Sequence, residues 1–427
     1  MKDQCRVGLL GLGTVGSAVA DLLLHRAGEI SWRAGIPVRL HRIAVAHPDR
    51  PRRVAVPPGM IVGDARAVID DTAVDVVVEV MGGIEPARSY IAAALARGKA
   101  VVTANKQLMA SRGDELLAAA ARAGADLFFE ASVGGGIPVI KAIWESLAAN
   151  TIGEIVGILN GTTNFILTRM SRDGVGFAEA LVAAQQRGFA ESDPTDDVDG
   201  HDAAAKLAIL ASVAFGSRVA GDDVYREGIG GITPRDIAYA RELGYVVKLL
   251  AIARYDQGTV EARVHPALLP AAHPLASVND ELNAVMIVGD PVGPIVLEGR
   301  GAGGGPTASA VVGDIIDAAR NLRMGAGGRL GHRELIRRPI REIAEIEVPY
   351  CLFLEVSDRP GVFAKVAAAF GDEAVSIASI VQKSRGVTAD VVLVTHDARE
   401  AAMQRVLRRL HGLDVVASIH TVLRIAA

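Results

Sequence analysis

Residues 184–206, AQQRGFAESDPTDDVDGHDAAAK, gather more side chains able to hold or move a proton than any other part of the chain. Glu191, Asp193, Asp196, Asp197, Asp199 and Asp202 crowd a loop punctuated by Gly and Pro, and Lys206 follows Asp202 by four residues. That spacing puts Asp202 and Lys206 on one face of a helix. The run after Lys206, LAILASVAF, has no polar face, so the helix it forms is buried. A lysine heading such a helix is poorly hydrated; it needs a carboxylate, a substrate group or a lowered pKa. The plainer reading is an ordinary Asp-to-Lys helix pair worth about 0.3–0.5 kcal/mol behind a solvated loop. The buried helix, and more carboxylates than one lysine can use, favour a polar site.

Such a site needs elements to face it. From Arg6 the chain reads RVGLLGLGTVGSAVADLLL: an apolar strand, a turn through Gly11, Leu12, Gly13, Thr14, Val15 and Gly16, then a helix. This is a dinucleotide fingerprint in its required context. Gly11 permits the tight turn, Gly13 lets the backbone approach a pyrophosphate, and Gly16 allows close helix packing. A second strand, Val38–Ala46, ends in His47, Pro48 and Asp49, followed by Arg50, Arg52 and Arg53. Asp49 could bind a ribose hydroxyl, whereas the arginines suggest room for a 2'-phosphate, and a solvated basic loop explains them equally well. The run from Val74 ends in Met81, Gly82 and Gly83, and AVVTANKQLMA ends a strand at Thr103 and starts a helix near Lys106. Both loops fall at the carboxyl edge of a doubly wound sheet, where ligands bind. A cation at a helix start is disfavoured by the dipole, so Lys106 calls for an anionic neighbour.

DLFFEAS, residues 126–132, reads as the last strand of this domain, followed by the run VGGGIP and a helix from Pro138. Ile155–Leu167 reads as strand, polar turn and helix start, where Asn160, Thr162, Thr163 and Asn164 either cap the helix or hold an amino acid's polar head. Residues 246–264 and 284–297 read as sheet strands, and GRGAGGGPTASAVVGDII as a glycine loop entering a helix at about 306–323 that returns to the first domain. The Gly- and Arg-rich residues 324–348 read as a linker. Residues 349–427 give strand, helix, strand, strand, helix, strand. The expected fold is α/β: a Rossmann-type domain over 1–132, an α+β substrate and dimerisation domain over 133–305, and a βαββαβ tail.

The pattern of Ala184, Gly188, Phe189, Ala190, Asp193, Pro194, Asp197, Val198, Gly200, Asp202 and Lys206 resembles the signature segment of homoserine dehydrogenases. The resemblance implies reversible oxidation of L-homoserine to L-aspartate 4-semialdehyde with NADP or NAD. By position it implies that Glu191, Asp202 and Lys206 hold the substrate, that Lys206 handles the hydroxyl proton, and that Asp197 supports catalysis. Lys106 matches the family's strand-end lysine, which shares the proton role or orients the oxygen. Among the cofactor contacts it implies are the 11–16 turn, Arg50, Met81, Gly82, Thr103, Lys106, Gly188 and Gly303. His47 stands where the family often has arginine. Glu130, Val133, Gly135 and Ile137 match a site for a monovalent cation such as Na+. The tail, with its Asp358, Arg359, Pro360 and Gly361 turn, resembles an ACT domain, which implies a threonine effector and pairing into a homodimer or homotetramer; pairing alone is the simpler role.

A chain of 427 residues holds two or three such domains. A net charge of −4 gives no basic field for nucleic acid, and no uncharged run is long enough for a bilayer. With only Cys5 and Cys351, far apart in apolar runs, no disulfide framework is expected, and with no signal peptide the expected location is cytoplasmic. Two rivals follow from the same residues. An acylating semialdehyde dehydrogenase would need a nucleophilic cysteine at a strand-to-helix turn. A catalytically silent sensor of NAD(P) and an amino acid would have no use for both Lys106 and Lys206.

Overall fold

Apolar runs with no polar face bury themselves on both sides of a parallel sheet. In the computed structural model, which describes residues 2–327, 335–384 and 386–426, the N-terminal domain is built on a six-stranded sheet whose central strands are of this kind. Their order is Ile61–Val62, Val38–Ala44, Cys5–Leu10, Val76–Glu79, Ala100–Thr103 and Leu127–Phe128, all parallel. The helix Gly304–Met324 returns to pack on Thr14–His25, and its Val311 and Ile315 belong to the same apolar core as Val7, Leu9, Val76 and Val78 of the sheet. The strand expected over 126–132 is only Leu127–Phe128, because the chain turns at Glu130–Ser132, where the Glu130 N–H donates to Asp314 Oδ2 at 3.0 Å. The helix expected from Pro138 is a single turn, Val139–Lys141, that widens into a π turn at Ala142–Ser146.

A second sheet of ten strands carries the rest of the described chain. Its first half runs Gly293–Arg300, Leu282–Asp290, Thr151–Ile158, Tyr245–Asp256 and Thr259–Pro270, with Tyr225–Arg226 pairing beside the last. The helices Gly161–Asp173 and His201–Phe215 pack on it. The second half is the tail, in the order Val416–Ile425, Tyr350–Ser357, Thr388–Thr395 and Ile377–Gln382, with helices Val362–Gly371 and Glu400–His411 completing the six-element pattern. The two halves are one sheet, because Arg424 and Ile425 pair in parallel with Ala267 and Leu268.

The stretch read as a linker is largely ordered structure. Met324 ends the returning helix, residues 328–334 lie outside the described residues, and Ile336 and Ile340 bridge to Ser217 and Val260. Beyond them, Glu347–Val348 pairs with Ala398–Arg399. Arg338 explains why a basic composition does not mean a free loop. Its Nη1 donates to the carbonyls of Phe215 and Gly216, at 2.7 and 3.2 Å, where the helix His201–Phe215 ends, and its guanidinium lies 4.9 Å from the Tyr255 ring centre. Replacing it leaves helix-end carbonyls without a donor and removes the stacking, so Arg338→Ala should lower stability by about 1–2 kcal/mol in urea denaturation.

Candidate active site

Asn105 begins the helix Lys106–Ala123 at the end of the strand Ala100–Thr103. Its Oδ1 accepts from the Leu108 N–H at 3.1 Å and its Nδ2 donates to the Gly83 carbonyl at 2.6 Å, tying the helix start to the neighbouring loop. This fixes Lys106 at the first helical position, facing the helix His201–Phe215 of the other domain. There Lys106 Nζ donates to Asp202 Oδ1. Lys206 Nζ donates to the other oxygen, Oδ2, at 2.6 Å and to the Leu159 carbonyl at 2.8 Å. Asp202 is therefore an acceptor shared by two ammonium groups from opposite domains.

Asn160 extends the cluster. Its Nδ2 lies 2.6 Å from Asp197 Oδ1 and 2.8 Å from Asp202 Oδ2, while its Oδ1 accepts from the Thr163 N–H at 2.8 Å. Capping and site-building, two alternatives in the sequence, are thus the same side chain doing both. Burial by itself would raise the Asp202 carboxyl, but Lys206 and Lys106 outweigh it and hold the group far below the usual carboxylate range. Burial would likewise lower Lys106, and the charge and hydrogen bond of Asp202 reverse the direction, so Lys106 stays protonated beyond its ordinary range. Asp197 is lifted by burial, with the Asp202 charge adding to the rise.

The cluster stands where two recesses meet. An open cleft of about 860 Å³ is lined by Asp197, Asp202, Gly188, Glu191, Gly303 and both lysines. A recess of about 370 Å³ is lined by Val15, Gly82, Asn105, Gly135 and, again, both lysines. Lys106 is the more accessible, its side chain 37 % exposed against 10 % for Lys206. Glu191 is exposed on the cleft wall.

At the fingerprint turn, Gly11 has φ +103, and a Cβ on Gly16 would lie 2.3 Å from the Gly11 carbonyl oxygen. Nothing lies within 4 Å of where a Gly13 Cβ would be, leaving backbone open to a ligand. A cradle that glycines keep open fits a dinucleotide pyrophosphate at the start of the helix Thr14–His25. Other expected residues sit further off. Leu12 packs into the core, Arg50 lies on an exposed loop, and Thr103 is fully buried.

Thr103 leads to a residue that sequence reasoning missed. Its hydroxyl donates to Glu79 Oε2 at 2.6 Å, and Glu79 Oε1 accepts from the Met81 and Gly82 N–H groups at 2.7 and 3.2 Å. This fully buried carboxylate shapes the Met81–Gly82 loop. The available signal was an acid inside the apolar run VVVEVMGG.

Glu130 turns both carboxylate oxygens to the start of the next helix, accepting from the Ile140 and Lys141 N–H groups, each at 2.8 Å. Burial, with the Asp314 charge, pushes its carboxyl up to about 7. The Ile137 carbonyl accepts from Val139 N–H at 2.8 Å, and Gly134 and Gly135 both have positive φ. Among the described residues no group of three or more His, Cys, Asp or Glu gathers to hold a metal. Cys5 and Cys351 are buried in strands, which pushes both thiols up to about 12 and leaves the acylating rival without a nucleophile.

A glycine-cradled parallel sheet facing a Lys–Asp–Lys cluster across a cleft defines a nicotinamide-dependent oxidoreductase. Residues 11–130 match the family described as homoserine dehydrogenase, NAD binding domain, residues 138–316 match homoserine dehydrogenase, and residues 352–414 match the ACT domain. The chain is 45 % identical over 424 residues to the homoserine dehydrogenase of Corynebacterium glutamicum, covering 98 % of this chain and 95 % of that one. To the Bacillus subtilis enzyme it is 41 % identical over 423 residues, 98 % of each. The crystal structure of a homoserine dehydrogenase from Thiobacillus denitrificans superposes with a TM-score of 0.93 at 42 % identity, covering 99 % of this chain and 98 % of that one. A hyperthermophilic archaeal homoserine dehydrogenase in complex with NADPH superposes at 0.61 with 28 % identity, over 74 % of this chain and 97 % of that one.

The chain belongs to the homoserine dehydrogenase family, NAD(P)-dependent oxidoreductases acting on a CH–OH group, and carries a C-terminal ACT domain. That membership answers the silent-sensor alternative. No helix among the described residues is long and apolar enough to cross a membrane. Because a methyl on Gly16 has no room beside the Gly11 carbonyl, Gly16→Ala should raise the Kd for the dinucleotide at least about tenfold, by fluorescence titration, with the far-UV spectrum unchanged.

Proposed function

We propose that the Lys106–Asp202–Lys206 cluster is the proton-handling centre for the interconversion of L-homoserine and L-aspartate 4-semialdehyde; the observation that carries this is one buried carboxylate shared by lysines of the two domains. The chemistry a bound nicotinamide would supply is acceptance of a hydride from the carbinol carbon in oxidation and its return in reduction. Lys206 takes the hydroxyl proton, and Lys106, more open to solvent, orients the oxygen and passes the proton on. Glu191 and Asp202 face the substrate ammonium, and Asp197, through Asn160, keeps Asp202 in place.

The cofactor is NADP or NAD. Gly11, Gly13, Thr14, Val15 and Gly16 cradle its phosphates, and Met81, Gly82, Thr103, Gly188 and Gly303 shape or line its path. Arg50, beside Arg52 and Arg53, supplies cations suited to a 2'-phosphate, and the archaeal relative's NADPH complex favours NADP. Glu130 with the carbonyls of Val133, Gly135 and Ile137 offers an all-oxygen set suited to a hard monovalent cation such as Na+, and the raised Glu130 carboxyl would be relieved by one.

Threonine is the effector we assign to the ACT domain, and a homodimer or homotetramer the assembly. In support of pairing, Ile377–Gln382 is a sheet edge with Ile380 and Val381 each 37 % exposed. A cytoplasmic location follows from a role in threonine, methionine and isoleucine biosynthesis.

The proton assignment is tested on variants of both lysines. Lys206→Ala should lower kcat for homoserine oxidation by about 10²–10⁴, and a loss of only a few-fold would remove Lys206 from the chemistry. Because Asp202 keeps Lys106 charged, oxidation should climb with pH into the alkaline range. Asp202→Asn removes the largest opposition to burial and leaves only the charges of Asp197 and Asp196, so the ascending limb should move to lower pH. A limb that stays in place takes Lys106 out of the proton path. For the tail, threonine added to the full-length enzyme should inhibit in a saturable way; an unchanged rate excludes it as effector.

A further inference from the structure

Residues 225–229 lie between the ACT domain and the back of the catalytic turn. Tyr225–Arg226 pairs with Arg263 and Val264, and the Glu227 N–H donates to the Val264 carbonyl at 2.8 Å. The Glu227 side chain reaches the ACT domain, where Arg424 grips it with both ends of its fork: Nη2 to Oε1 at 2.9 Å and Nη1 to Oε2 at 3.1 Å. Arg424 is 4 % exposed, and its Nε donates to Glu400 Oε2 at 2.8 Å, an oxygen that also accepts from the Tyr350 hydroxyl at 2.7 Å. The guanidinium carbon lies 5.6 Å from the Tyr225 ring centre, and the Tyr225 hydroxyl donates to Glu227. A bidentate, stacked pair whose arginine is buried and whose carboxylate is half-buried has one geometry.

The next two residues press on the site from behind. A Cβ on Gly228 would lie 2.5 Å from the Val198 carbonyl oxygen and 2.9 Å from Asp199 Cα, so the two backbones are in closest contact there. The Ile229 N–H donates to that same Val198 carbonyl at 2.9 Å. Val198 ends the turn Thr195–Val198 that holds Asp197, and Gly200 opens the helix that holds Asp202 and Lys206.

We propose that Glu227 is a positioning residue for the dehydrogenase reaction: clamped by Arg424 of the ACT domain, it holds residues 228 and 229 against the turn 195–200 and thereby sets where Asp197, Asp202 and Lys206 stand. The inference rests on the catalytic reading of that cluster. It gives the ACT domain a mechanical route to the cleft that needs no ligand contact between them, since re-seating the strand Val416–Ile425 or the helix Glu400–His411 moves the clamp. Membership of a continuous sheet would account for stability at this joint; it would not account for the fork on Glu227 or for the glycine held to contact distance behind Asp199.

The test compares full-length Glu227→Gln, Arg424→Lys and Gly228→Ala with the parent enzyme in homoserine oxidation, across pH and with both substrates varied. Glu227→Gln should lower kcat about ten- to a hundredfold and shift the alkaline limb, with KM for the dinucleotide within about twofold, because displacement of a catalytic group by an ångström costs this much. Arg424→Lys, which keeps the charge and loses the fork, should act in the same direction. Gly228→Ala leaves the ion pair intact and pushes on Val198 directly, so it should reproduce the kinetic effect. If these variants fold and lose only thermal stability, with kcat and the pH profile of the parent, the proposal is overturned; Gly228→Ala alone decides it should the clamp variants fail to fold. Lys206→Ala, assayed alongside, separates the two readings. Activity retained in Lys206→Ala sinks the catalytic assignment, whereas its loss with unaffected clamp variants sinks only the positioning role.

Discussion

A carboxylate buried between two ammonium groups is the constraint on which the rest depends. Asp202 is 5 % exposed and would be costly to keep charged there without Lys106 and Lys206 on its two oxygens. Each lysine in turn hydrogen-bonds Asp202, and the charge of that carboxylate reverses the lowering that burial alone would impose on Lys106. The cost of this arrangement is met by the two domains together, because one lysine comes from the end of a Rossmann strand and the other from a buried helix. Asp202 and Lys206 share one helix, and the Rossmann domain brings the second ammonium, which is why the cluster sits at the junction of the two recesses.

The same balance constrains the chemistry. Because Asp202 accepts from both ammonium groups, one on each oxygen, a change at either lysine is felt at the other. Asn160 adds a donor that bridges Asp197 and Asp202, holding two acidic side chains next to each other.

Much of this was legible from residue spacing. Asp202 and Lys206 are four apart on an apolar helix, and Lys106 follows a strand-ending threonine, so local pattern places each. Their meeting was not legible by spacing, because Lys106 and Asp202 are 96 residues apart and only the packing of the two domains joins them. Glu79 escaped notice because an acid in an apolar strand carries no sign of which loop amides it will accept. The Gly- and Arg-rich residues before the tail read as a free connection, since composition registers solubility and not that Arg338 finds two helix-end carbonyls. The union of tail and catalytic sheet was hidden for the same reason: a two-residue parallel pairing has no periodicity of its own.

That union bears on how the chain reaches its folded state. Thr259–Pro270 is buried along almost its whole length, and beyond Val264 its outer edge is covered by the strand Val416–Ile425, which is synthesised much later. Until that strand arrives, an apolar edge with unpaired N–H and C=O groups stands open on an otherwise assembled catalytic domain. The nascent chain therefore passes through a stage that is prone to edge-to-edge association. The regulatory domain is in this sense a late-arriving cover strand, and damage to it would register first as insolubility, before any loss of control over the reaction.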